Sequence, residues 1–251
     1  GPEQGHWTCT MGLNCEISPV PGVGLLQGDR LMAALSCGEA APPGFPSGGM
    51  FEKPSVDALA FTSVSNSTGV VAVTAFPGIY YVCFCRPSAI HGQDCNDSAQ
   101  FRAPSGYLSI QGPSLRQSYA CTMGSKCVIS ELKGVNLRDN DSLTVMSSCH
   151  STAAPARSSY CVVAGCTMFR AARGGAKQTF DLGVMTKHAT PGSWALCWCS
   201  ALGTCADVTE FMVEAASLEL ACPDDEVLEA NGICMSCCTD CFVAREVIIT
   251  I

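Results

Sequence analysis

The sequence predicts an all-β chain of two tandem disulfide-stabilised modules followed by a small cysteine-rich tail, and three observations lead there. A cysteine ruler runs along the chain twice: Cys9-x5-Cys15-x21-Cys37 recurs as Cys121-x5-Cys127-x21-Cys149 with both spacings unchanged. Each copy continues, after 45 to 47 residues, into a C-x-C pair (Cys83/Cys85 and Cys197/Cys199) and one further cysteine, Cys95 and Cys205. The residues between also match. TCTMGLNCEI answers ACTMGSKCVI, GVGLLQGDRLMAALSC answers GVNLRDNDSLTVMSSC, and PGIYYVCFC answers PGSWALCWC. Fixed spacing in a duplicated unit holds its sulfurs in a set geometry. Finally, apolar residues alternate at a two-residue period, as in strands covered on one face.

The elements follow in chain order. Residues 1–6 are read as a leader whose Gly1-Pro2 resembles the scar of a cleaved expression tag, and are set aside from the fold. The first module occupies residues 7–112. Leu31–Leu35 and Val70–Phe76 are short apolar runs bounded by Gly, Pro, Asn and Asp, and read as strands. The Gly- and Pro-rich stretch between Cys37 and Val56 reads as a long loop. From Ile79 to Cys85, Tyr80, Val82 and Phe84 share one face while Tyr81, Cys83 and Cys85 share the other. The same strand of the second module sets Trp194, Leu196 and Trp198 against Ala195, Cys197 and Cys199. The large apolar side fills a core between sheets, and the cysteine side ties the strand to a neighbouring segment. Pro77-Gly78 and Pro191-Gly192 mark turns before it. Phe101 answers Phe211, and Leu108/Ile110 and Leu218/Leu220 alternate in a closing half-buried strand.

Seven or so short strands in about 105 residues read as a β-sandwich, immunoglobulin-like in plan. The second module is residues 113–221, and only two or three residues pass between Pro113 and the opening Arg116-Gln-Ser-Tyr119, a link too short for free relative motion. In place of the first module's loop it carries residues 151–173 with its own Cys161-x4-Cys166, spaced for a local disulfide. Divergent loops on a common frame are where binding specificity sits, although a variable loop with no partner reads the same way. The tail, residues 222–251, has Cys222, Cys234, Cys237, Cys238 and Cys241 and reads as a knot-like unit; residues 243–251 read as a strand, the start of a further module.

Nineteen cysteines in 251 residues belong to an oxidising compartment, extracellular or in the secretory pathway. The sequons at Asn66, Asn96 and Asn140 are compatible with glycosylation there. Net charge is −8 with 14 scattered Lys and Arg, so there is no basic stripe for nucleic acid and no attraction to anionic lipid. No apolar run approaches bilayer length, so a membrane would be reached only through parts of a longer protein. An odd cysteine count leaves one free thiol or one partner elsewhere, and the irregular tail is its expected place.

The chemistry-bearing residues point away from catalysis and cofactors. Cys234-x2-Cys237-Cys238-x2-Cys241 has zinc-knuckle spacing, but thiolate ligands need a reducing setting. The C-x-C pairs sit mid-strand with no helix to lower a thiol pKa, so bridging is expected rather than redox work. His6, His91, His150 and His188 occupy no matching positions, and no G-x-S-x-G, H-E-x-x-H or phosphate loop occurs. The matched acids Asp29 and Asp141 read as turn residues, since calcium needs several convergent carboxylates. Tyr80, Tyr81, Trp194 and Trp198 suggest a carbohydrate platform, but alternation buries most of them.

The signature CTMGxxCxI, GxxLxxxDxL ending in Cys, PGxYxVCFC or PGxWxLCWC, and a closing G-P or C-P resembles the Cys-rich extracellular repeats of very large alveolate surface or secretory proteins, apicomplexan and dinoflagellate, of the cysteine-rich modular protein type. It covers residues 7–223. The resemblance implies a secreted or membrane-tethered assembly protein for adhesion, acting in parasite–host contact or invasion-organelle secretion.

The expectation is therefore a non-enzymatic structural and adhesion module pair, a rigid spacer with protein-binding surfaces. Its partners are other proteins of a surface or secretory complex, or a host receptor. A lectin-like glycan-binding pair is the alternative and requires an exposed aromatic beside polar loop residues; a secreted protease inhibitor or hydrolase ranks lower. Expected disulfides are Cys161–Cys166, Cys85–Cys95 and Cys199–Cys205. Cys9, Cys15, Cys37 and Cys83, with Cys121, Cys127, Cys149 and Cys197, close the sandwiches in pairings left open. Each bridge stabilises by roughly 2–4 kcal/mol.

Overall fold

The computed structural model describes residues 1–53, 60–63, 72–88, 93–149, 172–175, 179–185, 191–223, 226–228 and 234–236. Within them the chain is mostly β-sheet, with short 3-10 turns at Pro46–Gly49, Ser98–Gln100 and Val208–Glu210. The first repeat supplies β1 (Gly5–Thr10), β2 (Glu16–Ile17), β3 (Arg30–Ala34), β4 (Met50–Glu52), β5 (Phe61–Ser63), β6 (Gly78–Cys85) and β7 (Ala103–Pro113). The second supplies β8 (Gln117–Thr122), β9 (Lys126–Ile129), β10 (Gly134–Val135), β11 (Ser142–Met146), β12 (Ala172–Gly175), β13 (Thr179–Val184), β14 (Gly192–Cys199) and β15 (Val213–Ala221). In the tail, β16 (Glu226–Leu228) pairs antiparallel with β17 (Cys234–Ser236).

The repeats share one topology. The first sheet runs β1-β7-β6-β3-β4-β5-β2, and the second runs β8-β15-β14-β11-β12-β13-β9, the same order strand for strand. In each, the first strand lies parallel to the last, with Gly5 opposite Gly106 and Gln117 opposite Ala216, while the other pairings are antiparallel.

Alternation along β6 and β14 decides what packs where. Tyr80, Val82 and Phe84 turn into one large cluster of buried side chains, as do Trp194, Leu196 and Trp198 of β14. That cluster is continuous from Trp7 in the first repeat to Leu220 in the second. The opposite face carries cysteine and builds a small second core in each repeat. Met32, Ala34, Cys83, Cys85, Cys95 and Phe101 meet in the first; Met146, Cys149, Ala195, Cys197, Cys199 and Phe211 meet in the second. Phe101 and Phe211 arrive there from the 3-10 turns, whose starts are fixed by Asp97 accepting from the Ala99 N–H and Asp207 from the Thr209 N–H.

The disulfides follow the same plan twice. Cys9–Cys15 and Cys121–Cys127 tie the first strand to the turn after it; Cys37–Cys83 and Cys149–Cys197 pin a loop to the central strand; Cys85–Cys95 and Cys199–Cys205 fasten the strand end. Cys222 is also disulfide-bonded. Such a density of oxidised pairs belongs to an oxidising environment. Cys161 and Cys166 lie outside the described residues, as do Cys237, Cys238 and Cys241; of Cys234 only the backbone within β17 is described.

Three segments differ from the sequence reading. Residues 70–76, read as a strand, form none in their described part: Ala72 makes a lone bridge to Asn14, and Val73 and Thr74 hydrogen-bond to the turns at Leu13 and Gly44. The Gly- and Pro-rich stretch after Cys37 contains β4, which pairs with β3 through Leu31 opposite Phe51, and Phe45 and Phe51 are buried. The glycines and prolines cluster in its first half and hide the short strand behind them. Residues 1–6 also take part in the fold: β1 begins at Gly5, and Gly1 to Glu3 hydrogen-bond to Pro21 and Val23.

The two long-range and short-range bridges should differ in worth. Loop-closure entropy assigns about 4 kcal/mol to Cys37–Cys83, 46 residues apart, and about 2.2 kcal/mol to Cys9–Cys15, 6 apart. Urea unfolding of the paired Cys→Ala variants should show the 37/83 variant less stable than the 9/15 variant by at least ~1 kcal/mol.

Candidate functional site: the tyrosine face of the first repeat

The outer face of the first sheet carries a row of rings. Cross-strand register sets His6 opposite Tyr107 and Tyr107 opposite Tyr81 on β1, β7 and β6. The His6 and Tyr107 rings meet edge-on at 5.3 Å, and the Tyr107 and Tyr81 rings lie tilted at 5.1 Å. Tyr81 and Tyr107 are 40% and 39% exposed, and His6 is exposed. On the next rung Thr8, Ser109 and Ile79 lie side by side, with Ile79 66% exposed. One end of the row abuts the disulfide core, because Ala34 beside Tyr81 belongs to it.

The second repeat removes this feature without changing the frame. The same rungs there hold Ser118, Ser217 and Ala195, followed by Ala120, Glu219 and Ser193. The rings are half-exposed on one copy of the frame and small residues stand in their place on the other, so the shared fold does not itself require them. Tyr80 and Trp198, two of the four aromatics read as a platform from the sequence, are buried; the Tyr80 hydroxyl donates to the Phe76 carbonyl at 2.6 Å, and burial raises its pKa. Trp194 is half-buried against the large core. The alternation that buries Leu108 and Ile110 places Tyr107 on the outer face, and His6 joins it only through the pairing of β1 with β7. The local signal is limited to the outward positions of β6 and β7, Tyr81 and Tyr107, both carrying rings; their adjacency is set by the sheet.

A second concavity lies where the repeats meet, a groove of about 500 Å³ lined among others by Met11, Phe76, Leu115, Arg116 and Val213. The Arg116 guanidinium lies over the Phe76 ring at 5.8 Å, so the charge caps an apolar joint rather than projecting from it.

The paired acids Asp29 and Asp141 are turn anchors. Asp29 is 1% exposed and accepts from the Leu26 N–H and, bidentately, from Arg86 at 2.8 and 2.7 Å. Asp141, fully buried, accepts from the N–H groups of Arg138 and Ala201, both at 2.8 Å. Ser200 stands where the first repeat has Arg86. Burial therefore raises the Asp141 pKa, against the opposing pull of those two N–H donors.

Among the described residues, Cys199, Cys205 and Glu210 have ligand-like proximity, but the two sulfurs are bonded to each other and offer no thiolate. Glu210 instead accepts from Thr204 and from the Ala206 N–H. The C-x-C cysteines Cys83, Cys85, Cys197 and Cys199 are all buried in disulfides. Asn96 is exposed, with its amide donating to Asp94 and its oxygen accepting from Arg30. Asn140 is exposed in the turn before Asp141. Asn66, His91, His150, His188 and the loop 151–171 lie outside the described residues. No helix of the described residues is long and apolar enough to cross a membrane.

No protein-family profile matches the chain, and no curated protein matches it. Solved structures similar to it include a Bacteroides ovatus mixed-linkage glucan utilization locus protein, SGBP-B, in complex with a mixed-linkage heptasaccharide, at 12% identity and TM-score 0.24 over 88% of this chain and 44% of that one. Sidekick-1 immunoglobulin domains 1–4 are similar at 12% identity and TM-score 0.22 over 88% and 49%. The chain spans about half the length of each.

The two acids give opposite tests. With its pKa raised in the folded protein, Asp141 favours folding while protonated, and that contribution is lost as pH rises from the unfolded value of about 3.9 through the folded one. The stability of Asp141→Asn relative to the parent should therefore climb with pH across the acid range and level off near neutrality; a flat difference would exclude the burial effect. Arg86→Ala should destabilise at neutral pH by about 1–2 kcal/mol in chemical unfolding, a figure reduced because the Arg86 side chain is 38% exposed.

Proposed function

We propose that the chain is a pair of tandem immunoglobulin-like β-sandwich modules from an extracellular, non-enzymatic protein. In this reading it acts as a rigid spacer whose first module presents a protein-binding face. The observation that carries it is the tyrosine row: one frame repeated strand for strand, with His6, Tyr107 and Tyr81 on one copy and Ser118, Ser217 and Ala195 on the other. Tyrosine supplies large contact area at little entropy cost, and a rigid sheet holds it in place before binding. The partner class is a protein of a surface or secretory complex, or a host receptor, in line with the alveolate-type repeat the sequence resembles. His6 packs edge-on against Tyr107 rather than against a nucleophile, which supports a binding role over catalysis.

A glycan-binding reading has one observation in its favour. Tyr81 and Tyr107 are exposed beside Thr8 and Ser109, the ring-plus-hydroxyl combination that sugar faces stack upon. The two readings separate in one experiment. The chain and its Tyr81→Ala/Tyr107→Ser variant, which borrows the second repeat's residues, are compared for binding to a panel of purified extracellular proteins and to arrayed glycans. The variant should keep its melting temperature and lose at least ~10-fold in affinity, as expected for two aromatic anchors. Loss confined to the glycan array moves the lectin reading to the front, and unchanged binding on both removes the tyrosine face as the site.

A further inference from the structure

The joint between the repeats is a small and specific piece of strand pairing. The end of β7 runs past its own sheet, and β10 of the second repeat pairs antiparallel with it: Gly134 lies opposite Pro113, and Val135 opposite Gly112. The Ser114 N–H then donates to the Lys133 carbonyl at 2.8 Å. Glycine at 134 is required there, because a Cβ would come within 2.4 Å of the Gly112 oxygen and 2.8 Å of the Pro113 Cα.

The first repeat carries the same receiving edge 112 residues earlier, at Pro21, Gly22 and Val23. Gly22 bridges Pro2 antiparallel, the Val23 N–H donates to the Gly1 carbonyl at 3.1 Å, and the Glu3 N–H donates to the Pro21 carbonyl at 2.7 Å. A Cβ on Gly22 would come within 2.6 Å of the Gly1 oxygen and 2.7 Å of the Pro2 Cα. Gly1-Pro2-Glu3 thus retraces Gly112-Pro113-Ser114 bond for bond. The spacing differs by one residue, since two residues lead from Pro2 to β1 and three from Pro113 to β8. Arg116, in the left-handed region at φ 64°, belongs to the longer link. Val23 is 79% exposed where its counterpart Val135 is half-buried by the neighbouring repeat.

We propose that the Pro21–Val23 edge is a docking site for the Gly-Pro end of the closing strand of a further repeat of this kind, joined in tandem ahead of residue 3. The joint between the two repeats seen here is then one unit of a propagating series in which every receiving edge takes the strand end before it. This rests on the rigid-spacer reading and extends it from a pair to an array.

The test joins a second copy of residues 1–113 directly to Glu3 of the full chain, so that its Gly112-Pro113 replaces Gly1-Pro2. Amide hydrogen exchange is followed at Val23 and Glu3, with Ser114 as the internal reference. A chain beginning at Glu3 should exchange Val23 at least ~10-fold faster than the fusion, in which Val23 and Glu3 approach the protection of Ser114. A fusion carrying Gly22→Leu should lose that protection while keeping it at Ser114. Fast exchange at Val23 in the fusion, with Ser114 still protected, overturns the docking site and leaves the spacer reading intact. Fast exchange at Ser114 in the parent chain overturns the spacer reading itself.

Discussion

The structure depends on a single strand in each repeat that is loaded on both sides. β6 and β14 put three large apolar residues into the main core, and on the reverse face put two cysteines into disulfides with flanking loops. The reverse face of a central antiparallel strand is either left to solvent or covered by a second sheet or a helix. Here a disulfide core of half a dozen residues covers it, and each covering loop is held covalently, so it needs few apolar side chains of its own. This explains how a chain that is 7% aromatic and 14% charged keeps long Gly- and Pro-rich connections without losing the sheet beneath them.

Because the frame is held this way, the residues on it are free to change. Arg86 neutralises Asp29 in one repeat, while in the other Ser200 takes its place and Asp141 accepts from two backbone N–H groups. Tyr81 and Tyr107 become Ala195 and Ser217 with the cross-strand register intact. The copies have diverged at the surface and at one buried charge, and not in the order of their strands. Binding, on the reading given above, belongs to the part that diverged.

The all-β character, the two faces of β6 and β14, and the strand-end pairs Cys85–Cys95 and Cys199–Cys205 were legible in the sequence. A two-residue period and a short cysteine interval are local signals, complete within a few residues. What escaped was non-local. The strand β4 sits behind a run of glycine and proline, and its pairing with β3 is decided by Phe51 meeting Leu31 across about 20 residues. The pairing of Cys37 with Cys83 rather than with Cys9 or Cys15 likewise depends on which segments the fold brings together. The tyrosine row requires knowing that β1, β6 and β7 are neighbours, and Gly1-Pro2 gains meaning only when its hydrogen bonds are set beside those of Gly112-Pro113.

The parallel pairing of first and last strands has a mechanical consequence. Since β1 and β7 point the same way, the chain enters a repeat at one end of the sheet and leaves it at the other. A pull on the two ends therefore drags these strands past each other lengthwise, loading the whole ladder from Gly5–Gly106 to Thr10–Gln111 at once instead of unzipping it rung by rung. Behind that ladder, the Cys37–Cys83 and Cys85–Cys95 bridges cap how far the interior can extend even after it gives way. Such a repeat resists modest tension stiffly and is limited in its stretch beyond it.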